Sequence, residues 1–326
     1  MMATRALPDQ SRTGILPPLT VVLASPRGFC AGVVRAISAV EDALERFGAP
    51  VYVRRPIVHN RAVVSELTRK GAIFVEELDE VPEGATVLFS AHGVAPAVRD
   101  DADRRGLVWF DAVCPLVRKV HHEVVRHHRD GRTVLLIGHP GHPEIEGTIG
   151  HLPEGAAHVL SDARELDALV LKRDTPVAYA VQTTYSVQDS TLMIDAIHAR
   201  FDDVQGPSGS DICYATTNRQ AALRSIVARA DAVIVAGASF SSNANRLADE
   251  ARRGECKSVQ LIETADELDL APLMGASTVA LTAAASTPEA SVQAVIERLR
   301  AHFTVAVEET DAGVETIQFR PMSFAR

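Results

Sequence analysis

The sequence predicts an α/β protein built from three similar lobes with mainly parallel sheets. Short apolar runs alternate with amphipathic helical patterns along nearly the whole chain. The runs are continuously apolar, as in parallel strands that are covered on both faces. A cysteine also recurs three times at the start of a helical pattern that leads into a strand and a polar loop. Strand–helix alternation with short connections favours units with right-handed crossovers.

The clearest predicted strands are rich in valine, leucine, isoleucine and alanine. They comprise residues 20–24, 86–90, 133–137, 176–181, 232–236 and 278–283. Between the strands, apolar residues recur at spacings of four and three, as in residues 33–47, which is typical of an amphipathic helix. Glycine closes several of these patterns, for example at Gly48 and Gly254, where a helix commonly ends.

The repeat sets the predicted domain boundaries. The lobes are residues 20–113 (lobe 1), 114–210 (lobe 2) and 211–298 (lobe 3). Residues 1–19 lack the apolar stretch of a signal peptide, so we expect a disordered leader there. The tail, residues 299–326, contains a strand-like segment at 314–319. We expect this tail to dock on lobe 1, whose sheet edge is otherwise unpartnered.

Composition excludes several classes of function. Apolar residues make up 46% of the 326 residues and charged residues 23%, as in an ordinary globular protein. The net charge of −9 disfavours a nucleic-acid-binding surface. No apolar run approaches the roughly 20 residues of a membrane span. Four cysteines without a secretory signal favour free thiols in a reducing, cytoplasmic setting.

Three of the four cysteines occupy equivalent places in the repeat. Cys30, Cys114 and Cys213 each begin a helical pattern, and a helix N-terminus favours the thiolate form. Three thiolates and an open coordination position suit a substrate-binding iron–sulfur centre. A structural zinc site on the same cysteines is the alternative. Cys256 lies outside the pattern, and we expect it to be an ordinary thiol.

Polar side chains follow the strands of each repeat, where parallel sheets bind their ligands. The candidates are His59, His92, His142, Ser241, Ser242, Asn243 and Ser286. Imidazoles, hydroxyls, amides and helix N-termini together form an anion pocket. Since the sequence shows no arginine clamp, the pocket suits a compact diphosphate buried beside a redox centre. Simple helix capping is the alternative for the serines and the asparagine, although one group can do both.

Glu144 is the carboxylate closest to this pattern. Burial near anionic ligands raises a carboxyl pKa and keeps the group protonated, as a proton donor requires. Glu146 is the competitor, but alternation turns it elsewhere. Thr183 and Thr184 are candidates to hold a substrate hydroxyl. The histidine-rich stretch 121–128 is expected to decorate a solvated helix.

Taken together, these fragments resemble the 4-hydroxy-3-methylbut-2-enyl diphosphate reductase family. The resemblance runs through RGFCAGV, PIVHNR, SAHGV, GHPEIEGT, QTTYSV, DICYATTNRQ and SSNANRL, and it covers nearly all of residues 20–320. It implies reductive dehydroxylation of (E)-4-hydroxy-3-methylbut-2-enyl diphosphate to isopentenyl and dimethylallyl diphosphate, the last step of the non-mevalonate isoprenoid pathway. A non-catalytic iron–sulfur sensor that binds the diphosphate is the alternative function.

The resemblance also implies a role for each candidate. Cys30, Cys114 and Cys213 would ligate one 4Fe–4S cluster per chain, at the centre of the three lobes, with one iron left without a protein thiolate. The polar loop residues would hold the diphosphate, Thr183 its hydroxyl end, and Glu144 would deliver protons. Electrons would come singly from ferredoxin or flavodoxin.

Two positions depart from the family pattern. Ala284 stands where a glycine is usual, and its methyl group would crowd the diphosphate or shift Ser286. Arg118 stands where a threonine is common, close in sequence to Cys114. We expect Arg118 to tune the cluster potential or to help a partner dock, with an ordinary surface arginine as the alternative.

Overall fold

The structure is a computed structural model that describes residues 16–310 and 315–324. Its strands are β1 (Pro18–Leu23), β2 (Val51–Arg54), β3 (Ala72–Val75), β4 (Thr86–Phe89), β5 (Val108–Asp111), β6 (Thr133–Ile137), β7 (Ala157–Leu160), β8 (Val177–Val181), β9 (Val204–Gln205), β10 (Ala232–Ala236), β11 (Ser258–Ile262), β12 (Thr278–Ala283) and β13 (Thr304–Glu309). Its α-helices are α1 (Ala31–Phe47), α2 (Arg61–Arg69), α3 (Pro96–Arg104), α4 (Pro115–Arg129), α5 (Pro143–Ile149), α6 (Glu165–Ala168), α7 (Val187–Arg200), α8 (Tyr214–Val227), α9 (Ser242–Arg253) and α10 (Glu289–Arg300).

Within the described residues, the strands form three sheets. Their orders are β3-β2-β4-β5, β7-β6-β8-β9 and β11-β10-β12-β1-β13. Every strand pairing in them is parallel. This confirms the predicted α/β class with three parallel sheets. The continuous apolar runs arise because central strands are covered on both faces; all five residues of β10 are buried.

Helix boundaries follow the local signals. Cys30 and Cys114 are the N-cap residues of α1 and α4, and Pro115 occupies the first turn of α4, where its missing N–H costs nothing. Gly48 and Gly254 cap the carboxyl ends of α1 and α9. The chain therefore starts two helices at cysteines that the repeat singled out.

The described chain divides into two compact units. One comprises the residues up to Gly28 together with those from Asn218 to Glu315, and it contains the five-stranded sheet. The other comprises the residues from Phe29 to Thr217 and those from Thr316 onward, and it contains both four-stranded sheets. In the second unit, the loops with His59, His92, Cys114, His142 and Thr183 follow β2, β4, β5, β6 and β8.

The predicted start of lobe 1 is wrong. Strand β1 does not pair with β2–β5 but lies between β12 and β13 in the five-stranded sheet, with Val21 opposite both Val279 and Val307. The sheet of lobe 1 therefore begins at β2. The physical reason is that β1 finds its apolar partners far along the chain, which a pass along the sequence does not reveal. Most of the predicted leader lies outside the described residues, but Pro18 and Leu19 belong to β1.

The tail behaves differently from the prediction. Its strand, β13, comes earlier than expected and pairs with β1 in the five-stranded sheet rather than on lobe 1. Residue 314 lies outside the described residues, and residues 315–319 form no strand. Farther along, Phe324 packs on Phe47 and Phe110, with ring centroids 5.7 and 4.8 Å apart. These ring contacts bring the end of the tail against the apolar cluster of Val33, Leu88 and their neighbours.

No helix in the described part of the chain is both long enough and apolar enough to cross a membrane.

Candidate active site

Two of the three repeat cysteines present their sulfurs to the same glycine. A Cβ atom built on Gly32 would lie 2.9 Å from the Cys114 Sγ and 3.7 Å from the Cys30 Sγ. The two sulfurs are therefore no farther apart than the sum of these distances. A side chain at position 32 would collide with the Cys114 thiol, so a glycine is required for this close approach.

The Cys213 thiol interacts electrostatically with the thiols of Cys30 and Cys114. Burial raises the pKa of the Cys114 thiol to about 12, and the charges of Cys30 and Cys213 add to the rise. Burial likewise raises the pKa of the Cys213 thiol to about 11, with further repulsion from Cys30 and Glu144. Such mutual repulsion requires the three thiols to be near one another.

These shifts correct the expectation that helix N-termini alone keep the cysteines as thiolates. For Cys114 and Cys213, desolvation outweighs the backbone N–H groups of the helix starts. The thiolate forms therefore need a positively charged partner, and a bound metal group deprotonates its thiol ligands outright.

The three thiols are candidate ligands for zinc or for an iron–sulfur group. Across residues 16–310 and 315–324, no group of three or more His, Cys, Asp or Glu side chains is arranged to hold a single metal ion. Zinc would require its thiolates about 2.3 Å from one centre. The three neighbouring thiols therefore leave zinc and a multi-iron group as alternatives.

Hydrogen bonds hold the cysteine segments together. The Tyr214 hydroxyl, next to Cys213, accepts a bond from the Ala31 backbone N–H, next to Cys30, at 3.0 Å. The Cys114 backbone N–H donates to the Ala91 carbonyl oxygen at 3.0 Å, which ties Cys114 to the loop of His92. Tyr214 was not singled out from the sequence, because its role depends on a contact with a residue far away in the chain.

Three predicted histidines form one cluster. The ring centroids of His59 and His92 are 4.2 Å apart, those of His59 and His142 5.4 Å, and those of His92 and His142 5.8 Å. Ser90 Oγ lies 3.2 Å from His92 Nδ1. The His142 Nδ1 accepts a hydrogen bond from the Glu144 backbone N–H at 3.1 Å and thereby caps α5.

The histidine cluster is uncharged near neutral pH. Burial lowers the pKa of His59 to about 4 and that of His142 to about 3. The pKa of His92 is also well below its usual value, first because of burial and then because of repulsion from His59 and His142. A cluster of neutral imidazoles donates and accepts hydrogen bonds, and it can gain protons when an anion binds.

Glu144 is buried and bound to Thr183. The Thr183 backbone N–H donates to Glu144 Oε1 at 2.6 Å, and the Thr183 hydroxyl donates to Oε2 at 2.8 Å. Burial raises the pKa of Glu144 to about 7 in spite of these two bonds, which lower it. The Thr183 carbonyl oxygen accepts the Cys213 backbone N–H at 3.0 Å. Glu144, which holds a proton near neutral pH, is therefore linked through Thr183 to the backbone of Cys213.

Glu146 is at the surface, although the expected alternation is not the reason: residues two apart on helix α5 point in nearly opposite directions, about 200° apart. Its carboxylate binds the Arg55 guanidinium at 2.5 Å, and about half of its side chain is exposed. Arg55 also pairs with Glu77 at 3.2 Å and lines a cavity of about 280 Å³ with His59 and His92. The sequence interpretation missed this arginine at the histidine pocket. The Arg–Arg–Pro run directly after a strand was a signal for it.

The remaining polar candidates lie in the other compact unit. Ser241 is the N-cap of α9 and accepts the Ala244 backbone N–H at 3.3 Å. Asn243 Oδ1 accepts the Ala285 backbone N–H at 2.8 Å, which brings the loop of Ser286 beside the start of α9. Ser242 is the first residue of that helix. The four predicted residues Ser241, Ser242, Asn243 and Ser286 are thus gathered in one place, and the observed role of Ser241 is to cap the helix.

Ala284 points into the core. It is fully buried within the apolar cluster of Val22, Leu247 and their neighbours, and a Cβ built on Gly237 would lie 3.1 Å from the Ala284 methyl carbon. The small residue at position 237 leaves room for this methyl group. The Ala284 methyl group therefore makes a packing contact in the core, instead of crowding the anion pocket as expected.

Replacing Ala284 with glycine should lower stability and leave substrate binding unchanged. The variant loses one buried methyl group and gains backbone freedom in the unfolded chain, which costs about 1 kcal/mol. Urea unfolding of Ala284→Gly should show this decrease in the free energy of unfolding, while KM stays the same. A clear fall in KM would mean that the methyl group does crowd the ligand.

The histidine-rich stretch is only partly solvated. His122 is exposed, but His121 and His127 are buried, which corrects the prediction of a solvated helix face. His121 packs 4.2 Å from the ring of His151 and against Gly93, where a Cβ would come within 2.5 Å of it. The helix has neighbours on more than one side, so its histidines help to position the loop that follows His92.

The fold and site define an α/β protein in which converging thiols, a neutral histidine cluster and a protonated carboxyl lie beyond the ends of parallel strands. The LytB protein family model matches residues 21–300, and the chain belongs to this family. This confirms the resemblance seen in the sequence.

Curated relatives agree on one name. The protein named 4-hydroxy-3-methylbut-2-enyl diphosphate reductase from Ruegeria pomeroyi is 48% identical over 303 residues, which cover 93% of this chain and 96% of the relative. The protein of the same name from Zymomonas mobilis is 52% identical over 302 residues, covering 93% and 88%.

Solved structures of the family have the same fold. The E-1-hydroxy-2-methyl-but-2-enyl-4-diphosphate reductase of Plasmodium falciparum superposes with a TM-score of 0.88 at 35% identity, covering 94% of this chain and 96% of that one. A second structure, described as (E)-4-hydroxy-3-methyl-but-2-enyl diphosphate reductase, the terminal enzyme of the non-mevalonate pathway, gives 0.62 at 30% identity, covering 87% and 99%.

Proposed function

We propose that this protein is an oxidoreductase that converts (E)-4-hydroxy-3-methylbut-2-enyl diphosphate to isopentenyl and dimethylallyl diphosphate. Two electrons and two protons enter, the allylic C–O bond breaks, a C–H bond forms and water leaves. The observation that carries the proposal is the contact of the protonatable Glu144 with Thr183, whose carbonyl group binds the backbone of Cys213. The names of relatives about 50% identical over nearly the whole chain point to the same reaction.

The cofactor in this proposal is one 4Fe–4S cluster held by Cys30, Cys114 and Cys213. The approach of the Cys114 and Cys30 sulfurs to Gly32 supports it, as does the electrostatic interaction of Cys213 with Cys30 and Cys114. When bound, such a cluster supplies electrons and an iron without a protein thiolate that acts as a Lewis acid.

The histidine cluster binds the diphosphate. His59, His92 and His142 offer ring nitrogens from three separate loops within one cluster. The family resemblance in the sequence implies diphosphate binding for four further residues, Ser241, Ser242, Asn243 and Ser286. Anchoring the diphosphate, which does not react, uses its binding energy to orient the alcohol at the other end.

Glu144 donates the proton that the departing hydroxyl group needs. Its raised pKa keeps a proton available near pH 7, and the two bonds from Thr183 fix the direction of the carboxyl group. The Thr183 hydroxyl lies at the same place and is suited to orient the substrate hydroxyl. The carboxyl group can donate this proton only where it touches the substrate. The Glu144→Gln variant tests this role.

An anaerobic turnover assay tests the proposal. The purified protein is given the allylic diphosphate with dithionite-reduced methyl viologen, and viologen oxidation and the C5 products are followed. The reductase consumes two electrons per molecule of product. A sensor would bind the diphosphate without oxidising viologen, and a zinc protein would be colourless and would contain no iron.

The rate should fall as the pH rises above about 7. The donor is the protonated form of Glu144, and its pKa is about 7, so the catalytic rate constant should approach a decrease of about tenfold per pH unit on the alkaline side. Measuring kcat with excess viologen across this range gives the profile. A rate that stays flat or increases with pH would remove Glu144 from the donor role.

The electron donor and the location are also proposals. The family resemblance implies that electrons enter one at a time from ferredoxin or flavodoxin. The free cysteines fit a reducing, cytoplasmic compartment.

A further inference from the structure

Helix α4 carries a basic stripe on its exposed face. Arg118, His122 and Arg126 are all exposed and follow one another at intervals of four residues, which places them on one side of the helix. With Pro115, Lys119 and Glu123 they line an open groove of about 380 Å³. We call this surface the α4 groove.

The α4 groove starts beside a thiol of the active site. Cys114 is the N-cap of α4, and the Arg118 backbone N–H donates to the Cys114 carbonyl oxygen at 3.0 Å. Arg118 is thus one helical turn, about 6 Å along the axis, from the cysteine. A partner bound at this end of the groove would lie close to the proposed iron–sulfur group.

The positive charge of the groove is only partly neutralised locally. Within the described part of the chain, Arg118 and Arg126 form no ion pair, whereas Lys119 contacts Asp211 at 3.2 Å and Glu123 at 3.7 Å. The groove therefore keeps two uncompensated arginines on a protein whose net charge is −9.

Arg35 of α1 lies within electrostatic reach of Arg118, and also of Asp111. Arg35 is held in place by the carbonyl oxygens of Ala112 and Val113, at 3.2 and 3.1 Å. Burial lowers the pKa of Arg35, and the charge of Arg118 lowers it further. Two like charges kept close together next to Cys114 favour an anionic partner, because such a partner would relieve their repulsion.

We propose that the α4 groove is the docking surface for an acidic protein that carries one electron at a time. This inference rests on the proposed function, which needs two electrons from outside the chain. An acidic partner is repelled by the overall charge and attracted only where cations are concentrated, so the groove selects both the partner and its orientation. Arg118 stands at the end of the groove next to the thiol, where an incoming redox centre must come closest.

The test compares two electron donors on the iron-loaded enzyme. One donor is an acidic plant-type ferredoxin kept reduced by its NADPH-dependent reductase; the other is dithionite-reduced methyl viologen, a small cation. In Arg118→Glu, the KM for ferredoxin should rise roughly tenfold at low salt, and added salt should shrink the difference. Turnover with viologen should stay within about twofold of the wild type, since a rim charge acts on association.

Two further variants serve as controls. Arg118→Lys keeps the charge and should retain most of the ferredoxin affinity. Arg104→Glu reverses an exposed charge at the carboxyl end of α3, the end of that helix away from the strand ends that carry the site, and should leave the KM for ferredoxin unchanged. Calorimetry with oxidised ferredoxin measures the same tenfold loss of affinity for Arg118→Glu without any turnover.

Three results would overturn the docking surface. One is an unchanged KM for ferredoxin and unchanged binding in Arg118→Glu. Another is an equal loss of turnover with both donors, which would make Arg118 a residue that acts on the bound group itself. The third is an equal weakening in Arg104→Glu, which would reduce the effect to overall charge. If the wild type fails with viologen but binds ferredoxin through Arg118, the proposed function fails and the docking surface stands.

Discussion

Replacing Glu144 with glutamine should lower turnover by about 10²–10⁴-fold while the cluster and the substrate affinity are kept. Glutamine has nearly the same shape, and its side-chain oxygen can still accept one of the two hydrogen bonds from Thr183. What it lacks is an acidic proton. The loss should therefore appear in kcat, with KM and the visible spectrum of the iron–sulfur group unchanged.

Glu146→Gln is the matched control, because it makes the same chemical change two residues away on the same short helix. Glu146 is half-exposed and pairs with Arg55, and an exposed ion pair contributes about 0–1 kcal/mol, so turnover should stay within about fivefold. Equal losses in both variants would show that α5 tolerates no change of charge. Near-normal rates in Glu144→Gln would remove the carboxyl group from proton transfer.

Replacing Cys213 with serine should abolish both iron binding and activity. The Cys213 sulfur is 3.2 Å from the Thr216 hydroxyl and lies within electrostatic reach of Cys30. A serine fills almost the same space but is a poor ligand for iron, so the protein should remain folded and lose its brown colour. Iron and sulfide counts after anaerobic purification, together with circular dichroism, separate loss of the cluster from loss of the fold.

Cys256→Ser is the control for this experiment. Cys256 lies in the other compact unit, where its thiol donates to the Ser258 carbonyl oxygen at 3.3 Å and packs beside an apolar cluster. This variant should keep its iron and its turnover. Full iron content in Cys213→Ser, or an equal loss in Cys256→Ser, would contradict the assignment of the cluster ligands.

The local signals in the sequence predicted local structure well. Buried runs such as residues 133–137 and 232–236 are strands with the predicted bounds, because their apolar composition suits only a sheet covered on both faces. Cys30 and Cys114 begin helices as expected. Sheet membership could not be read in the same way, since β1 pairs with strands more than 250 residues away in the chain.

Electrostatic properties were predicted where burial could be inferred and missed where it could not. The raised pKa of Glu144 followed from the idea of a buried acid, and the structure has the same direction for the same reason. The pKa values of the Cys114 and Cys213 thiols are raised, whereas the helix N-terminus was expected to favour the thiolate form. Desolvation is the larger effect. Arg55 was missed because only the folded chain brings its guanidinium to the histidine pocket.

The sequence by itself determined the kinds of groups available and the places where they begin helices or follow strands. The family resemblance also came from the sequence alone, because its motifs consist of neighbouring residues. Only the tertiary structure decided which strands share a sheet, that the Cys30 and Cys114 thiols meet at Gly32, and which titratable groups are charged. These properties depend on distance and desolvation between residues far apart in the chain, and no local pattern encodes either quantity.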